Sequence, residues 1–447
     1  MFVAHAPTFS DLLDQVRAER ITQILGQADS AVSGEYVHWD KLRHLEPPPG
    51  LTSTEWWLGI KWARSSLLRE FPLTDESGSA FRFGTPDEVF RLLHYVDQRC
   101  SGEIAMAEVV TADDQARQHY LVNSLMEEAI RSSQLEGATT SRRVAKELLQ
   151  SGRPPKDRSE KMILNNYRAL QFMRDVVGDE LTPSHVLEMQ RILTEGTLDD
   201  PEAAGRLQTT SDDRVAVFDR NDPDVILHRP PPASQLPERL ERLCAFANGT
   251  NEAGAFVHPV IRAILLHFWL AYDHPFEDGN GRTARLLFYW SMRKQGYWLT
   301  EYLSISRLLR QGPAKYARSF LLTEQDERDA TYFIIFQLRI LERAVEELHT
   351  YLRRKIRDVR MVERALQGAG NLNHRQLALL SHAARNADQI YTFRSHAASH
   401  NVTVETARTD LLHLWRRGLL VRRKSSRRYV FEPPADLAER LAGPDRS

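Results

Sequence analysis

Along most of the chain, apolar positions recur three and four residues apart, the pattern of helices that bury one face. "EWWLGIKWARSSLL" and "PDEVFRLLHYVD" read as helices between Glu55 and about Asp97. Between them, "FPLTDESGSAFRFG" suits a short hairpin. After Ser101 the helical pattern continues through "QARQHYLVNSLMEEAI", "SRRVAKELLQ", "SEKMILNNYRALQFMRDVV" and "PSHVLEMQRILTEG". It breaks at "DDRVAVFDRNDPDVILHRPPP", where two β-prone runs flank a turn-rich centre; this predicts a hairpin ended by Pro230, Pro231 and Pro232. Helices resume at "LPERLERLCAFAN" and run to about Arg360, and "QGAGNLN", Gln367 to Asn373, reads as a linker. Three short helices and two short strands around a basic turn close the chain. The predicted fold class is mainly α, a helical bundle with a β-hairpin flap. Three divisions follow: 1–105, a helical module of unknown role whose tryptophans suit core packing; 106–366, the bundle; and 372–434, a small C-terminal domain.

Composition narrows the classes. With 447 residues and a formal net charge of −1, no whole-molecule field favours nucleic acid or a membrane, so any basic patch is local. The most apolar run, Val257 to Tyr272, holds Arg262 and His267 and is too short to span a bilayer. The first residues lack a basic stretch followed by an apolar one, so a cytoplasmic location is expected. Cys100 and Cys244 stand far apart without metal-ligand spacing and read as buried small residues.

The chemistry concentrates in "HPFEDGNGRTAR", His274 to Arg285, between the apolar runs "IRAILLHFWLAY" and "LLFYW". Gly279, Asn280 and Gly281 tolerate positive φ. Successive N–H groups at such a helix start form an anion-binding concavity. Arg282 and Arg285 stand at i, i+3 and offer fork-shaped, permanent charge to phosphate oxygens. Asp278 is a hard oxygen ligand suited to magnesium carried by a nucleotide. His274 titrates near neutrality and can take a proton from a hydroxyl. Phe276 is expected to point inward as the anchor. Base, metal carboxylate, anion nest and arginines are the parts that phosphoryl-type transfer needs. Taken singly, each of these features is commonplace: a Gly-Asn-Gly turn is usually only a turn.

These residues resemble the signature of the Fic family: histidine, any residue, phenylalanine, any residue, acid, Gly-Asn-Gly-Arg, two residues, arginine. Every fixed position is present, and the resemblance extends from about Tyr120 to about Leu348. It implies a helical Fic bundle that transfers AMP from ATP to a Ser, Thr or Tyr hydroxyl of a protein, releasing pyrophosphate. On that resemblance His274 is the base and Asp278 binds Mg²⁺. Gly279, Asn280 and Gly281 cradle phosphates with help from Arg282, and Arg285 holds the γ-phosphate. A second motif, "SSQLEG", places Ser132, Glu136 and Gly137 where many Fic proteins carry an inhibitory helix near 125–137. Its glutamate pairs with the second signature arginine, here Arg285, and displaces the γ-phosphate. The hairpin near 207–228 falls where the family has its flap, whose edge can pair with an extended target segment.

Other residues stay open between function and packing. Tyr316 and Phe320 are candidates for adenine contact or for the core. His267 reads as a core histidine, and His258 precedes Pro259 at a helix start. Asp273 orients His274 or simply ends a helix. Residues 372–434 resemble a winged helix, with Thr403 as N-cap, Arg408 and Thr409 outward, and Leu411, Leu412 and Leu414 toward the core. From 401 to 433 eight basic residues oppose three acidic ones, a local excess of five that suits a DNA backbone. The leading expectation is a self-inhibited adenylyltransferase, with a homodimer among its possible assemblies. The alternatives are a DNA-binding regulator whose Fic domain senses a nucleotide, and an enzyme that removes AMP from a target.

Overall fold

A computed structural model describes residues 3–100, 114–212, 214, 217–219, 222–250, 256–367, 372–385, 389–425 and 428–442. The first positions of the expected bundle (106–113), parts of the expected flap (213, 215–216 and 220–221), most of the linker (368–371) and the wing residues Ser426 and Arg427 lie outside them.

The chain divides into two units, residues 1–104 with 121–345, and residues 105–120 with 346–447. In the first, helices α1 (Phe9–Gln15), α2 (Ala18–Gly26), α3 (Trp39–Leu42) and α4 (Ser53–Ser65) precede an antiparallel hairpin, β1 (Arg69–Thr74) with β2 (Ala80–Phe83). There follow α5 (Asp87–Cys100), α6 (Asp114–Leu135), α7 (Arg142–Ser151), α8 (Arg158–Asp175) and α9 (Pro183–Thr194). A second hairpin, β3 (Val217–Asp219) with β4 (Asp222–His228), stands where the β-prone runs predicted one. After it come α10 (Leu236–Ala247), α11 (Pro259–Asp273), α12 (Asn280–Lys294), α13 (Ile305–Gln311), α14 (Pro313–Glu324) and α15 (Thr331–Gln367); the residues of α6 up to 120 and those of α15 from 346 belong to the second unit. The molecule is thus mainly α, as the periodicity predicted.

The centre of this unit is the pair α11 and α12. Every residue from Val260 to Leu270, and every residue from Arg282 to Met292, is buried. A helix apolar on all sides has nowhere to go but the middle of a bundle. Trp269, Phe268, Trp290 and Phe288 fill the space around the two. Side-chain oxygens at helix starts set several boundaries. Thr182 accepts from His185 N–H with Pro183 in the first turn, and Asp157 accepts from Glu160 N–H. His258 caps α11 through Val260 N–H, and its other ring nitrogen meets Asp97 at 3.1 Å. That histidine is spent on holding the helix start.

The N-terminal hundred residues lie within this same unit. Arg64 is buried, donates to the Tyr332 hydroxyl at 2.8 Å and lies 3.5 Å over the Tyr36 ring. Tyr36 in turn donates to Asp329 at 2.6 Å, and Lys61 pairs with Asp326. Trp56 and Trp57 are buried in a core with Leu12, Ile24 and Ile60, Trp62 is exposed, and the polar residues of the same segment reach the turn between α14 and α15.

In the second unit, α16 (His374–Arg385), α17 (Phe393–His400) and α18 (Val404–Arg416) are followed by β5 (Val421–Ser425) paired with β6 (Arg428–Glu432), then α19 (Leu437–Ala442). Leu379, Leu380, Leu411, Leu414, Leu420 and Phe431 form its core, with Leu412 partly buried at its edge. Thr403 caps α18 through Thr406 N–H. Buried Asp410 accepts from Arg375, Asn373 and His396, pinning the three helices together.

Candidate active site

The loop between α11 and α12 is built from its own sequence. His274 ends α11 in the left-handed region, φ 45°, with its N–H on Leu270 O at 3.0 Å. A non-glycine residue there is locally unfavourable and must be held by its surroundings. Arg214 supplies part of that hold, donating to the carbonyls of Asp273 (2.7 Å) and His274 (2.9 Å). Phe276 is fully buried, as expected of the anchor. The Asn280 amide closes a ring with its backbone, accepting from Phe276 N–H at 2.9 Å and donating to Phe276 O at 2.7 Å. Its side chain therefore braces the loop, leaving only its backbone to face a ligand. Gly279 has φ 89°, and a Cβ there would press on Thr194 at 3.0 Å.

The two arginines part company. Arg282 is fully buried and donates to Leu193 O (3.0 Å) and to Asp278 Oδ2 (3.0 Å). Arg285 reaches across to α6. Its Nε donates to Ser132 Oγ at 2.9 Å, and its Nη2 to Glu136 Oε1 at 2.8 Å and Ser132 O at 3.3 Å. Glu136 is the first residue beyond α6. There Gly137, φ 102°, reverses the chain, and Ala138 N–H returns to Ser133 O. The Glu136 carboxylate thus lies over Gly281, where an added Cβ would collide with it. Arg285 Nη1 is buried without a hydrogen-bond partner beside the same glycine. A buried guanidinium nitrogen left unpaired is costly, and an anion on the nest would satisfy it.

The electrostatics separate the histidines. His274 is held down to about 4, mainly by burial and secondarily by the charge of His228, so its ring is neutral at pH 7. Its Nδ1 faces Ala271 O at 3.4 Å, which leaves Nε2 with the free lone pair. His267, fully buried, meets the Tyr316 hydroxyl at 2.7 Å and is pushed down to about 3 by burial and then by Arg285. It is a core histidine. Phe320, half-buried, stacks on Phe268 and packs on Phe333, which favours the core reading. Tyr316 is committed to His267. Asp273 receives two hydrogen bonds from Arg239 and one from the Trp269 indole. It makes none to His274, and its role is to hold the end of α11.

The structure brings His274, Asp278, Gly279, Asn280, Gly281, Arg282, Arg285, Ser132 and Glu136 to one place, with Gly137 making the turn that presents Glu136. Three participants were silent in the sequence. Arg214 and His228 flank the hairpin, and Gln190 donates to Asp278 O at 3.0 Å. A fourth, buried Glu128, sits two turns before Glu136 and accepts from Ser304 Oγ (2.8 Å), Ser306 N–H (3.2 Å) and Ser306 Oγ, docking α6 on the start of α13. Its one signal is the i, i+4, i+8 series Glu128, Ser132, Glu136.

Residues 180–292 match the Fic/DOC family. Protein adenylyltransferase fic-1 of Caenorhabditis elegans is 31% identical over 170 residues, 36% of this chain and 30% of that protein. Protein adenylyltransferase Fic of Drosophila melanogaster is 40% identical over 80 residues, 18% of this chain and 16% of that protein. The chain therefore spans less than a third of the length of these curated relatives. Among solved structures, a Fic family protein from Desulfovibrio desulfuricans G20 superposes with a TM-score of 0.50 at 19% identity, over 78% of this chain and 96% of that one. Residues 134–508 of C. elegans fic-1 give a TM-score of 0.50 at 19% identity, over 78% and 89%. Over about 78% of its length the chain shares the fold of these two Fic proteins.

Proposed function

We propose that this chain is a self-inhibited protein adenylyltransferase, which moves AMP from ATP to a Ser, Thr or Tyr hydroxyl of a protein, itself included. In the transfer, His274 Nε2 takes the hydroxyl proton, the hydroxyl oxygen bonds to the α-phosphorus, and the bridging bond to the β-phosphate breaks to release pyrophosphate. The N–H groups at the start of α12 and the unpaired Nη1 of Arg285 receive the phosphates. Asp278, a hard oxygen donor paired with Arg282 through one oxygen and with its side chain 38% exposed, would hold a magnesium ion shared with a nucleotide; bound there, the ion would neutralise phosphate charge. A base that is neutral at pH 7 supports an enzyme over a mere sensor, which needs no base.

The observation that carries the reading is the Glu136 carboxylate lying over Gly281 on Arg285, the arginine that would hold a γ-phosphate. The test is to incubate the parent, Glu136→Gly and Glu136→Gly/His274→Ala with Mg²⁺ and α-labelled ATP. Label on protein in the single mutant alone is the expected result. Release of AMP from a pre-modified target, with no labelling, would instead favour the reverse reaction. A cytoplasmic location belongs to this proposal; no helix among the described residues is long and apolar enough to cross a membrane.

A second reading concerns the C-terminal unit, which we read as a winged helix that binds duplex DNA. It is supported by Arg408 and Arg416 on α18, Arg417 just after it, and Arg423 and Lys424 on β5, all exposed. Affinity for duplex DNA that falls steeply with salt is the expected behaviour.

A further inference from the structure

The last carbonyls of a helix have no partner within it. At the end of α11 three in a row, on Tyr272, Asp273 and His274, are taken by two side chains from either end of the β3–β4 hairpin. Arg214, before β3, takes those of Asp273 and His274. His228, the last residue of β4, lies 2.6 Å from Tyr272 O through Nε2. Its Nδ1 lies 2.9 Å from Glu324 Oε2, at the end of α14. A carbonyl and a carboxylate only accept, so a ring that makes both bonds donates from both nitrogens and is an imidazolium. His228 is itself buried, and its ring lies 4.6 Å from that of Tyr272.

We propose that His228, in its protonated form, is a positioning residue for the transfer reaction: it ties strand β4, the docking edge for the target segment, to the helix that ends in His274. Arg214 is the permanent half of this clamp and His228 the titratable half. The inference rests on the adenylyltransferase reading.

The surroundings favour the charged ring. Glu324 from α14 is the carboxylate it touches. Asp273 from α11 adds attraction from further off but is neutralised by Arg239 of α10, and His274 beside it is neutral. Arg214 contributes repulsion. Burial lowers the affinity of His228 for its proton, yet Glu324, the Tyr272 carbonyl and Asp273 together raise it above the ordinary histidine value. The sign follows. A raised histidine keeps its clamp below the ordinary value near 6.5 and loses it as pH climbs through the raised one.

The experiment uses the full chain carrying Glu136→Gly, alone and combined with Glu324→Gln or with His228→Gln. Transfer to protein is followed from mildly acidic to alkaline pH, each profile normalised to its own maximum. Binding of a fluorescent ATP analogue checks the nucleotide site. The His228 ring is titrated in parallel by NMR of histidine-labelled protein. Transfer by the Glu136→Gly chain falls on the alkaline side, Glu324→Gln moves that fall to lower pH, and His228→Gln removes it. His228→Gln also lowers kcat/KM for the target about tenfold, as a misplaced base does, while nucleotide affinity is unchanged. Identical profiles in all three chains overturn the proposal, as does a His228 ring that titrates below the ordinary value. Absence of transfer in every chain at every pH overturns the adenylyltransferase reading, and the ring titration then judges the clamp alone: a raised value that Glu324→Gln lowers supports it.

Discussion

Removing the Glu136 side chain tests the regulatory reading most directly. The Glu136–Arg285 contact is one charge-assisted hydrogen bond of 2.8 Å between a buried guanidinium and a carboxylate whose side chain is 30% exposed. Bonds to charged groups contribute about 1.5–3 kcal/mol net. The partial exposure of Glu136 places this one in the lower half, at about 2 kcal/mol. A γ-phosphate that must displace the carboxylate gives up that energy. At about 1.4 kcal/mol per tenfold, Glu136→Gly should raise transfer roughly thirtyfold. Arg285 keeps its two bonds to Ser132 in the variant, so the nest is not dismantled with the inhibitor. Glu136→Gln, which keeps the bulk over Gly281 and loses the charge, should fall between. The assay is the initial rate of label incorporation from α-labelled ATP, beside nucleotide affinity measured by displacement of a fluorescent analogue. A Glu136→Gly chain that binds nucleotide as the parent does, yet incorporates no more label, refutes the reasoning.

In the Glu136→Gly background, His274→Ala should abolish label while leaving nucleotide affinity intact. Because burial holds His274 down to about 4, the base stays free well below pH 6.5, and kcat/KM should fall on the acid side only as pH approaches about 4. Asn280→Ala strips both backbone partners from buried Phe276 and should cost about 2–4 kcal/mol, read as a lowered thermal midpoint. Gly281→Ala should leave transfer low with or without Glu136→Gly, since its Cβ enters the space of carboxylate and phosphate alike; label incorporation measures it.

The parts of the site that lie within one stretch of chain were legible in advance. His274 to Arg285 carries its own turn-formers, its own anchor and its own charges, so type and spacing were enough. The meeting of Glu136 with Arg285 was legible only through resemblance, because 149 residues separate them. The clamp was not legible. Arg214 and His228 lie on either side of a hairpin, and nothing in "DDRVAVFDRNDPDVILHRPPP" marks these two residues rather than the neighbouring Arg220 and Arg229. Their meaning comes from the α11 carbonyls they reach. Residue type gave no sign of partners either: Arg282 is buried with its guanidinium on Leu193 O and Asp278. The bundle was visible as helical periodicity, but that the first hundred residues share its unit was not, because buried ion pairs such as Lys61 with Asp326 leave no periodic trace.

The crowding at Gly281 has a consequence for how such a protein can change over generations. On the proposed reading, restraint and substrate contend for one volume, bounded by the same backbone and the same guanidinium. A lineage cannot shed its restraint by remodelling the nest, because whatever excludes the carboxylate there excludes the phosphate too. Release is open only from the far wall, through loss of one acid at the end of α6 or loosening of that helix at Glu128. Drift toward unrestrained activity should therefore scatter over the end of one helix and spare the loop, leaving a signature that looks intact in chains whose restraint has gone.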